Sequence, residues 1–285
     1  PISVLTWIEK NEPKKMPPYK SISANGSEYL QSDVNGKRII AVNHHLCHAA
    51  SAYYTSPFSR AKIFTWDGGG DGENASVSYG EGNKINQYDP KNLENLASYW
   101  SSLCFNNYRM KRIHAWDPGS GAGKIMGLSS YGTPNDNLGR DIEKDMSIAP
   151  TPKNFDPRAR AFNECEDISD TKSSRSQNVS ASLQKITVDK LVQQIENITR
   201  DGEVNLCYAG GLALNCIANR DIIKSTGFKN LHVPPFPNDT GLAIGAALYV
   251  WHHVLDNPKT NEYFSPYTGP DYKVGTPDVN KVAES

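Results

Sequence analysis

Residues 38–52, Arg-Ile-Ile-Ala-Val-Asn-His-His-Leu-Cys-His-Ala-Ala-Ser-Ala, pass directly from an apolar run into a row of small residues. The first part is typical of a strand, and the second part of a helix. Because residues i and i+4 share one face of a helix, His44 and His48 project together and can hold one metal ion. His45 points elsewhere, which favours a contact to substrate or to a ligand over direct ligation. The alternative is that all three histidines are structural.

The next apolar run, residues 61–67, ends in Asp67-Gly-Gly-Gly-Asp-Gly72. Asp67 therefore falls at the C-terminal end of a strand, where open α/β sheets place their chemistry. A carboxylate beside two imidazoles suits a divalent first-row transition metal. The glycine turn after Asp67 has two interpretations. Its N–H groups can cradle a phosphate, or it is an ordinary tight hairpin.

Two further turns precede helices in the second half of the chain. Gly210-Gly211 follows the strand pattern 204–209, which favours nucleotide binding at a helix N-terminus through free N–H groups. Close packing of strand and helix is an equal alternative, and the motif is not G-x-G-x-x-G. Asp239 precedes a helix as well, where aspartate is a preferred N-cap. A functional role for Asp239 gains weight only in combination with the other residues.

The alternation of strands and helices predicts an α/β fold. The predicted strands are 38–43, 61–67, 74–80, 204–209 and 231–233, and the predicted helices are 45–55, 95–109, 179–199, 212–225 and 240–255, with a Gly-rich loop and short helix at 121–132. The polar stretch 133–175 is predicted to be loop-rich. A change of pattern near residue 175 divides the chain into a first lobe (1–175), a second lobe (176–255) and a tail or linker (256–285).

Composition excludes several classes of function. With 30 basic and 31 acidic residues the net charge is −1, so nothing indicates a broad nucleic-acid surface. The apolar runs are far shorter than a membrane span requires. No secretory signal is visible, and the scattered, odd-numbered cysteines favour reduced thiols, so a cytoplasmic location is expected.

The motifs taken together carry more weight than any one of them. In order, they are His44-His-x-x-His-Ala-Ala-Ser-Ala, Asp67-Gly-x-Gly-Asp-Gly, Gly123-Lys-Ile-Met-Gly-Leu-Ser-Ser-Tyr-Gly, Gly210-Gly-Leu-Ala-Leu-Asn and Asn238-Asp-x-Gly-x-Ala-x-Gly-Ala-Ala. Over residues 37–270 this series resembles the O-carbamoyltransferase family, which includes nodulation-factor and antibiotic carbamoyltransferases.

The resemblance implies a two-lobed, actin-like and sugar-kinase-like ATPase fold. It also implies kinship with threonylcarbamoyl-adenosine tRNA-modification enzymes and the hydrogenase-maturation carbamoyltransferase. In such enzymes carbamoyl phosphate and ATP give a carbamoyl-adenylate, usually in a YrdC-like domain. The metal-bearing domain then passes the carbamoyl group to a hydroxyl of a small molecule or nucleoside. A homo-oligomer is compatible with this expectation.

The resemblance also implies roles for individual residues. The metal ligands would be His44, His48, Asp67 and Asp239, with Fe(II) the expected ion, another divalent transition metal the alternative and Mg²⁺ a further candidate. His45 would assist deprotonation of the acceptor hydroxyl as a general base. The residues expected to lie by the nucleotide are Gly210, Gly211 and Asn215 at the adenosine, Gly69, Gly70, Asp71 and Gly72 at the phosphates, and Lys124 and Gly127 facing the cleft.

Two departures from the family pattern leave alternatives open. The expected Asp-x-Ser phosphate loop is not found before His44, since Ser32-Asp33-Val34 lacks its context, and no YrdC-like domain follows. The chain is therefore expected to be truncated at both ends. Threonylcarbamoyl transfer to tRNA and an inactive nucleotide- or metal-binding fragment are the competing hypotheses. The stretch 133–175 is predicted to shape the acceptor pocket.

Overall fold

In the described part of the chain, eight strands form two mixed sheets. The computed structural model describes residues 2–6, 29–34, 37–91, 96–109, 121–147, 166–198, 202–262, 264–267 and 269. The strands are β1 (Ile2–Thr6), β2 (Tyr29–Val34), β3 (Lys37–Val42), β4 (Arg60–Gly70), β5 (Glu73–Glu81), β6 (Lys84–Lys91), β7 (Asn205–Ala209) and β8 (Asn230–His232). One sheet has the order β1-β3-β2, and the other has the order β6-β5-β4-β7-β8.

Helices cover the larger sheet on both faces. They are α1 (His44–Tyr54), α2 (Leu96–Asn106), α3 (Ala122–Leu128), α4 (Asp136–Ser147), α5 (Ser174–Ile198), α6 (Cys216–Ser225) and α7 (Leu242–Leu248), which continues as a π-helix over Tyr249–Val254. The α/β class predicted from the sequence is confirmed. No helix in the described part of the chain combines the length and apolarity needed to cross a membrane.

Successive side chains of the central strands point alternately into two hydrophobic clusters, one on each face of the larger sheet. On β4 and β7, Ile63 and Cys207 join the cluster shared with α1 and α7. The intervening side chains of Phe64 and Tyr208 join the cluster shared with α2, α5 and α6. Because successive strand residues point to opposite faces, the sheet is buried on both sides, as expected for strands with helices on either face.

Several elements differ from the sequence prediction. The strands β1, β2 and β6 were not predicted, and α4 lies in the stretch 133–175 that was predicted to be loop-rich. Leu138 and Ile142 of α4 are buried, so an apolar i,i+4 pair explains this helix. Residues 148–165 of the same stretch lie outside the described part of the chain.

The division into lobes at residue 175 stays a prediction. The strands β4 and β7, which come from the two predicted lobes, pair in parallel with Ile63 opposite Cys207. The larger sheet therefore combines segments from both sides of the predicted boundary. Lys259 of the predicted tail donates to the carbonyl of Ser56 at 2.7 Å, so the start of this tail packs on the fold.

The contact between α1 and α7 depends on Gly245. A Cβ atom on this residue would lie 1.9 Å from the carbonyl oxygen of Cys47. Replacement by alanine must therefore push the two helices apart, although alanine is the better helix former.

We expect Gly245→Ala to lower the free energy of unfolding by about 1–3 kcal/mol, the cost of overpacking a core. The matched control is Gly123→Ala in α3, where an added Cβ meets nothing within 4 Å. There the gain in helix propensity should raise stability by up to about 1 kcal/mol. Urea unfolding of both variants measures the difference. Equal effects in the two variants would contradict the close approach of α1 and α7.

His232 makes the stability of the protein depend on pH. This residue is buried at the end of β8, with its Nε2 3.0 Å from Thr55 Oγ1. Burial, and secondly the charge of Lys259, lower the pKa of His232 from 6.5 to about 4. Because the folded pKa lies below the unfolded value, protonation favours the unfolded chain. The contribution of neutral His232 to the free energy of unfolding is complete above pH 6.5 and is lost as the pH falls toward 4.

When the pH is lowered from 7.5 to 4.5, both proteins lose free energy of unfolding. We expect the loss to be smaller in His232→Asn than in the parent chain, by about 2 kcal/mol. The measurement is the difference in unfolding free energy between the two pH values, which cancels the packing loss that the substitution itself causes. Parallel pH curves for the two proteins would show that His232 is not the titrating group.

Candidate metal centre

The helix α1 begins just after β3, and side chains fix two of the N–H groups in its first turn. The Asn43 side chain caps the helix by accepting from the Leu46 N–H at 3.1 Å. The Asp71 carboxylate accepts from the His44 N–H at 2.7 Å. Carboxylates are favoured there because a helix N-terminus carries partial positive charge. The first turn of α1 is thereby held rigidly, and His44 and His48 meet with their Nε2 atoms 3.2 Å apart.

Asp67 joins the two histidines from the end of β4. The pairing of β4 with β5 shifts register between Trp66 and Gly70, which marks a bulge that redirects the strand. Asp67 Oδ1 accepts from the Gly211 N–H at 2.8 Å, so this oxygen is anchored. Its other oxygen, Oδ2, lies 3.2 Å from His44 Nε2 and 3.7 Å from His48 Nε2.

Asp239 completes the group from a short 3₁₀ turn, Asp239–Gly241. Its Oδ1 lies 3.8 Å from His44 Nε2 and 3.6 Å from His48 Nε2. One ligand atom from each of the four residues lies within 4.8 Å of all the others. The structure thus brings together the four side chains that the resemblance implies as ligands, from three separate parts of the chain.

The electrostatics of this cluster favour a positive charge at its centre. Burial by itself lowers the pKa of His48, but hydrogen bonds and charge from Asp239 and Asp67 outweigh burial and raise this pKa to about 9. Burial would raise the pKa of Asp67, but hydrogen bonds with His44 and His48 hold it well below its usual range. Two imidazoles and two carboxylates form a donor set suited to a divalent transition metal, so the residues fit such an ion.

Gly70 packs directly against the His44 ring of the cluster. A Cβ atom at this position would lie 2.2 Å from the His44 ring, so only glycine permits the ring to occupy its place. Sequence reasoning assigned Gly70 to a phosphate contact and missed this packing role. No sequence signal reveals it, because it depends on how the bulged end of β4 approaches α1.

The glycine turn after Asp67 is a tight β-hairpin. Gly70 pairs with Glu73 across a two-residue loop, Asp71 and Gly72, whose φ values are +52° and +83°. Positive φ at both central residues is typical of a type I′ hairpin turn, for which Asp-Gly is a preferred sequence. Of the two interpretations left open by the sequence, the structure shows the hairpin. A phosphate contact along residues 69–72 stays a prediction.

The N–H groups of the second glycine turn are not free, so that part of the sequence prediction is wrong. The Gly210 N–H donates to the Pro237 carbonyl at 2.7 Å, and the Gly211 N–H donates to Asp67. A Cβ atom on Gly210 would lie 2.2 Å from the Trp66 carbonyl oxygen, and one on Gly211 would lie 2.7 Å from Asp67 Oδ1. The glycines therefore serve close packing between the ends of β4 and β7.

Asn215 is engaged within the protein in the same manner. Its side-chain oxygen caps α6 by accepting from the Ala218 N–H at 3.1 Å, and its amide exchanges two hydrogen bonds with Gln184 at 3.0 and 3.1 Å. Gln184 was not singled out from the sequence. An adenosine contact by Gly210, Gly211 or Asn215 stays a prediction.

Lys124 and Gly127 lie on the exposed side of α3. The opposite side of this helix is fixed to α5, where Ser180 Oγ donates to the buried Ile125 carbonyl at 2.5 Å. The predicted position of Lys124 and Gly127 at the cleft stays a prediction.

His45 is turned away from the other histidines and is wholly buried. Its Nδ1 lies 2.8 Å from Thr65 Oγ1, which in turn lies 2.6 Å from Ser76 Oγ. Burial, and secondly the neighbouring His44 and His48, lower the pKa of His45 to about 3. Its general-base role stays a prediction, but such a pKa makes it a weak base, and its contacts indicate an anchor between α1 and the sheet.

If His45 is an anchor, we expect His45→Gln and Thr65→Val to lower the free energy of unfolding alike, by about 1–3 kcal/mol each, because each removes the same buried hydrogen bond. Neither should change the pH dependence of catalysis. Loss of the acidic limb of the pH–rate profile in the His45 variant alone would instead establish the general-base role, because a general base is inactive where it is protonated.

Comparison with known proteins decides the family. Residues 14–248 match the family model described as "Carbamoyltransferase N-terminus". This chain belongs to the carbamoyltransferase family. The resemblance inferred from the sequence motifs is thereby confirmed.

Relatives of known sequence agree with this assignment. The chain is 33% identical over 258 residues to an uncharacterised protein of Synechocystis sp., covering 80% of this chain and 40% of that protein. It is 30% identical to the nodulation protein NolO of Bradyrhizobium diazoefficiens, covering 81% of this chain and 42% of that protein. It is 29% identical to the nodulation protein NolNO of Sinorhizobium fredii, covering 84% and 35%. The chain therefore spans less than half the length of these relatives.

Among solved structures the similarities are distant. Component A of the (R)-2-hydroxyglutaryl-CoA dehydratase of Acidaminococcus fermentans gives a TM-score of 0.46 at 15% identity, covering 75% of this chain and 68% of that one. HypF of T. kodakarensis gives 0.41 at 12% identity, covering 76% and 37%. Both TM-scores lie under 0.5, so these similarities carry no argument about function.

Proposed function

We propose that this carbamoyltransferase chain carries the metal-assisted step that moves a carbamoyl group from a carbamoyl-adenylate to a hydroxyl of a small molecule or nucleoside. The adenylate would derive from carbamoyl phosphate and ATP, with a YrdC-like domain or chain as its source. The observation that carries the proposal is the convergence of His44, His48, Asp67 and Asp239 within 4.8 Å at the ends of the central strands. Membership of the family supplies the reaction class. The cytoplasm is the proposed location, which the free thiols of Cys47, Cys104, Cys207 and Cys216 support.

The four residues would hold a divalent transition metal, with Fe(II) as the proposed ion. When bound, such an ion supplies Lewis-acid polarisation of a carbonyl or phosphate oxygen. The chain's own part is to hold the ligands in place before substrate arrives. Asp67 is fixed by the Gly211 N–H, and the first turn of α1 is fixed by Asn43 and Asp71.

Exposure indicates the side from which substrate approaches. The side chains of His44 and His48 are 1% and 0% exposed, whereas that of Asp239 is 38% exposed. The cluster therefore opens toward solvent on the Asp239 side. We place the adenylate there, beside the exposed carboxylate of Asp239.

The proposed transfer conserves every atom. The acceptor oxygen forms a bond to the carbamoyl carbon, and the bond from that carbon to the phosphate oxygen breaks. AMP leaves with the electron pair, and the hydroxyl proton leaves to solvent at the open side. Stabilisation of the charge on the departing AMP is where a cation at the cluster has its largest effect.

The test is a single-turnover assay of the Fe(II)-loaded chain with synthetic carbamoyl-adenylate, kept anaerobic, against a panel of sugar, aminoglycoside and nucleoside acceptors and tRNA. AMP release and labelled carbamate on the acceptor are measured by chromatography. The matched variant is Asp239→Asn, which keeps the shape of the ligand and removes its charge. We expect metal-dependent carbamate formation that is lost in the variant.

Two outcomes would contradict the proposal. AMP release at the rate of buffer hydrolysis with every acceptor would favour an inactive nucleotide- or metal-binding fragment. Carbamate formation on tRNA alone would instead favour a tRNA-modifying enzyme.

A further inference from the structure

The four ligands of the candidate metal centre are not held equally well. His44 and His48 lie in the buried first turns of α1, and Asp67 is anchored by the Gly211 N–H. Asp239 is the most exposed of the four, with 38% of its side chain accessible. It also lies on a single 3₁₀ turn after a loop, rather than on a strand or an α-helix. Its position therefore depends on what supports that loop.

The loop before Asp239 is fixed at two points of its backbone. The Pro237 carbonyl accepts from the Gly210 N–H at 2.7 Å, and the Asn238 carbonyl accepts from the Gly241 N–H at 2.9 Å. Gly241 packs directly on this loop, because a Cβ atom there would lie 2.2 Å from the Phe236 carbonyl oxygen and 3.0 Å from the Phe236 ring. A shift of Phe236 is thus transmitted to the turn that carries Asp239.

The Phe236 ring is supported by the segment that follows the π-helix. Phe264 meets Phe236 edge-to-face, with ring centroids 5.8 Å apart and an interplanar angle of 81°. This is a favourable geometry for an aromatic pair. Because Phe264 is 39% exposed, the contact lies at the surface and is not part of either buried hydrophobic cluster.

The same segment is tied to the far end of α1. The Phe264 N–H donates to the Thr55 carbonyl at 3.3 Å, and Lys259 Nζ donates to the Ser56 carbonyl at 2.7 Å. Lys259 also lies over the Tyr53 ring, 5.2 Å from its centroid. Lys259 and Phe264 therefore connect the helix that bears His44 and His48 with the loop that bears Asp239.

We propose that Phe264 is a positioning residue for the metal centre, which it serves by holding Asp239 in register with α1 through Phe236. The inference rests on the proposed function, since it takes the four-residue cluster to be a metal site. It assigns a part in tuning metal affinity to Phe264, which lies in the stretch predicted to be a tail or linker.

The contact between the Phe264 and Phe236 rings limits how much metal affinity a substitution of Phe264 can remove. An aromatic pair of this geometry contributes about 0.5–1.5 kcal/mol, so its loss should weaken metal binding by about 2- to 10-fold. The probe is Co²⁺, whose visible absorption reports both its affinity and its ligand geometry. The variants are Phe264→Ala and Phe264→Tyr, and the control is Tyr267→Ala, an aromatic residue of the same segment that is 90% exposed.

We expect Phe264→Ala to raise the Co²⁺ Kd by about 2- to 10-fold and to change the visible spectrum. Phe264→Tyr and Tyr267→Ala should both have the Co²⁺ Kd and the visible spectrum of the parent chain. The deciding comparison uses Asp239→Asn as the background. There Phe264→Ala should have no further effect, because the ligand that it positions is gone, whereas a merely structural role would weaken binding in both backgrounds.

The outcomes separate this inference from the function on which it rests. A parent chain that binds no Co²⁺ overturns both. The positioning role alone is overturned if the parent chain and Phe264→Ala bind Co²⁺ with the same Kd. It is also overturned if Phe264→Ala weakens Co²⁺ binding in the Asp239→Asn background.

Discussion

His48→Ala should raise the Kd for Fe(II) or Co²⁺ by more than about 100-fold and abolish metal-dependent carbamoyl transfer. Changes to the groups that merely support a metal ligand already cost 10- to 100-fold in affinity, so loss of a ligand should exceed that range. His48 Nε2 lies within 4 Å of His44 Nε2, Asp67 Oδ2 and Asp239 Oδ1, and no other atom at that position can replace it. Metal titration of the purified chain measures the change.

The matched control for this variant is His253→Ala. His253 lies on the π-helix after α7, where its Nδ1 accepts from the Ile85 N–H at 3.2 Å. It is a histidine outside the cluster, so its loss should leave the metal Kd unchanged. Equal metal affinity of His48→Ala and His253→Ala would place the metal elsewhere in the protein.

Gly70→Ala should weaken metal binding by about 10- to 100-fold although Gly70 supplies no ligand. The added Cβ would lie 2.2 Å from the His44 ring, so the ring must move away from Asp67. An effect of this size is usual when the support of a ligand is disturbed. Overpacking should also lower the free energy of unfolding by about 1–3 kcal/mol. Isothermal titration with Co²⁺ and urea unfolding measure the two effects.

Gly72→Ala separates displacement of His44 from damage to the hairpin. Gly72 belongs to the same turn and has a φ of +83°, but an added Cβ meets nothing within 4 Å. Its replacement should lower stability by about 1 kcal/mol through backbone strain and leave the metal Kd unchanged. If Gly70→Ala and Gly72→Ala weaken metal binding equally, the contact between Gly70 and His44 is not what positions the ring.

The histidine pair of the cluster was predictable because it depends on simple periodicity. An i,i+4 pair on a helix places His44 and His48 together wherever the helix lies. The strand at residues 61–67 was equally legible and placed Asp67 near the C-terminal end of β4, although β4 continues to Gly70. Asp239 could be added only through the resemblance, since its local sequence is equally typical of a helix cap.

The supports of the site were not predictable, because they depend on registers that only the fold determines. The bulge between Trp66 and Gly70 brings Asp71 to the first N–H of α1 and leaves Gly70 under the His44 ring. The N–H groups of Gly210 and Gly211 looked free in the sequence, and the approach of Asp67 and Pro237 engages both.

Among the elements, β6 was missed because its sequence, Lys-Ile-Asn-Gln-Tyr-Asp-Pro-Lys, is polar and contains a proline. Such a composition is typical of an edge strand, and β6 lies at the edge of the larger sheet.

The most direct test of the account is the position of a bound ion. Crystals of the chain grown with Co²⁺ would be measured at the cobalt absorption edge, where anomalous scattering locates the metal without reference to any assumed ligands. The account predicts one strong peak at coordination distance from His44 Nε2, His48 Nε2, Asp67 Oδ2 and Asp239 Oδ1. No peak among these four atoms at saturating Co²⁺, or a stronger peak on other side chains, would contradict it.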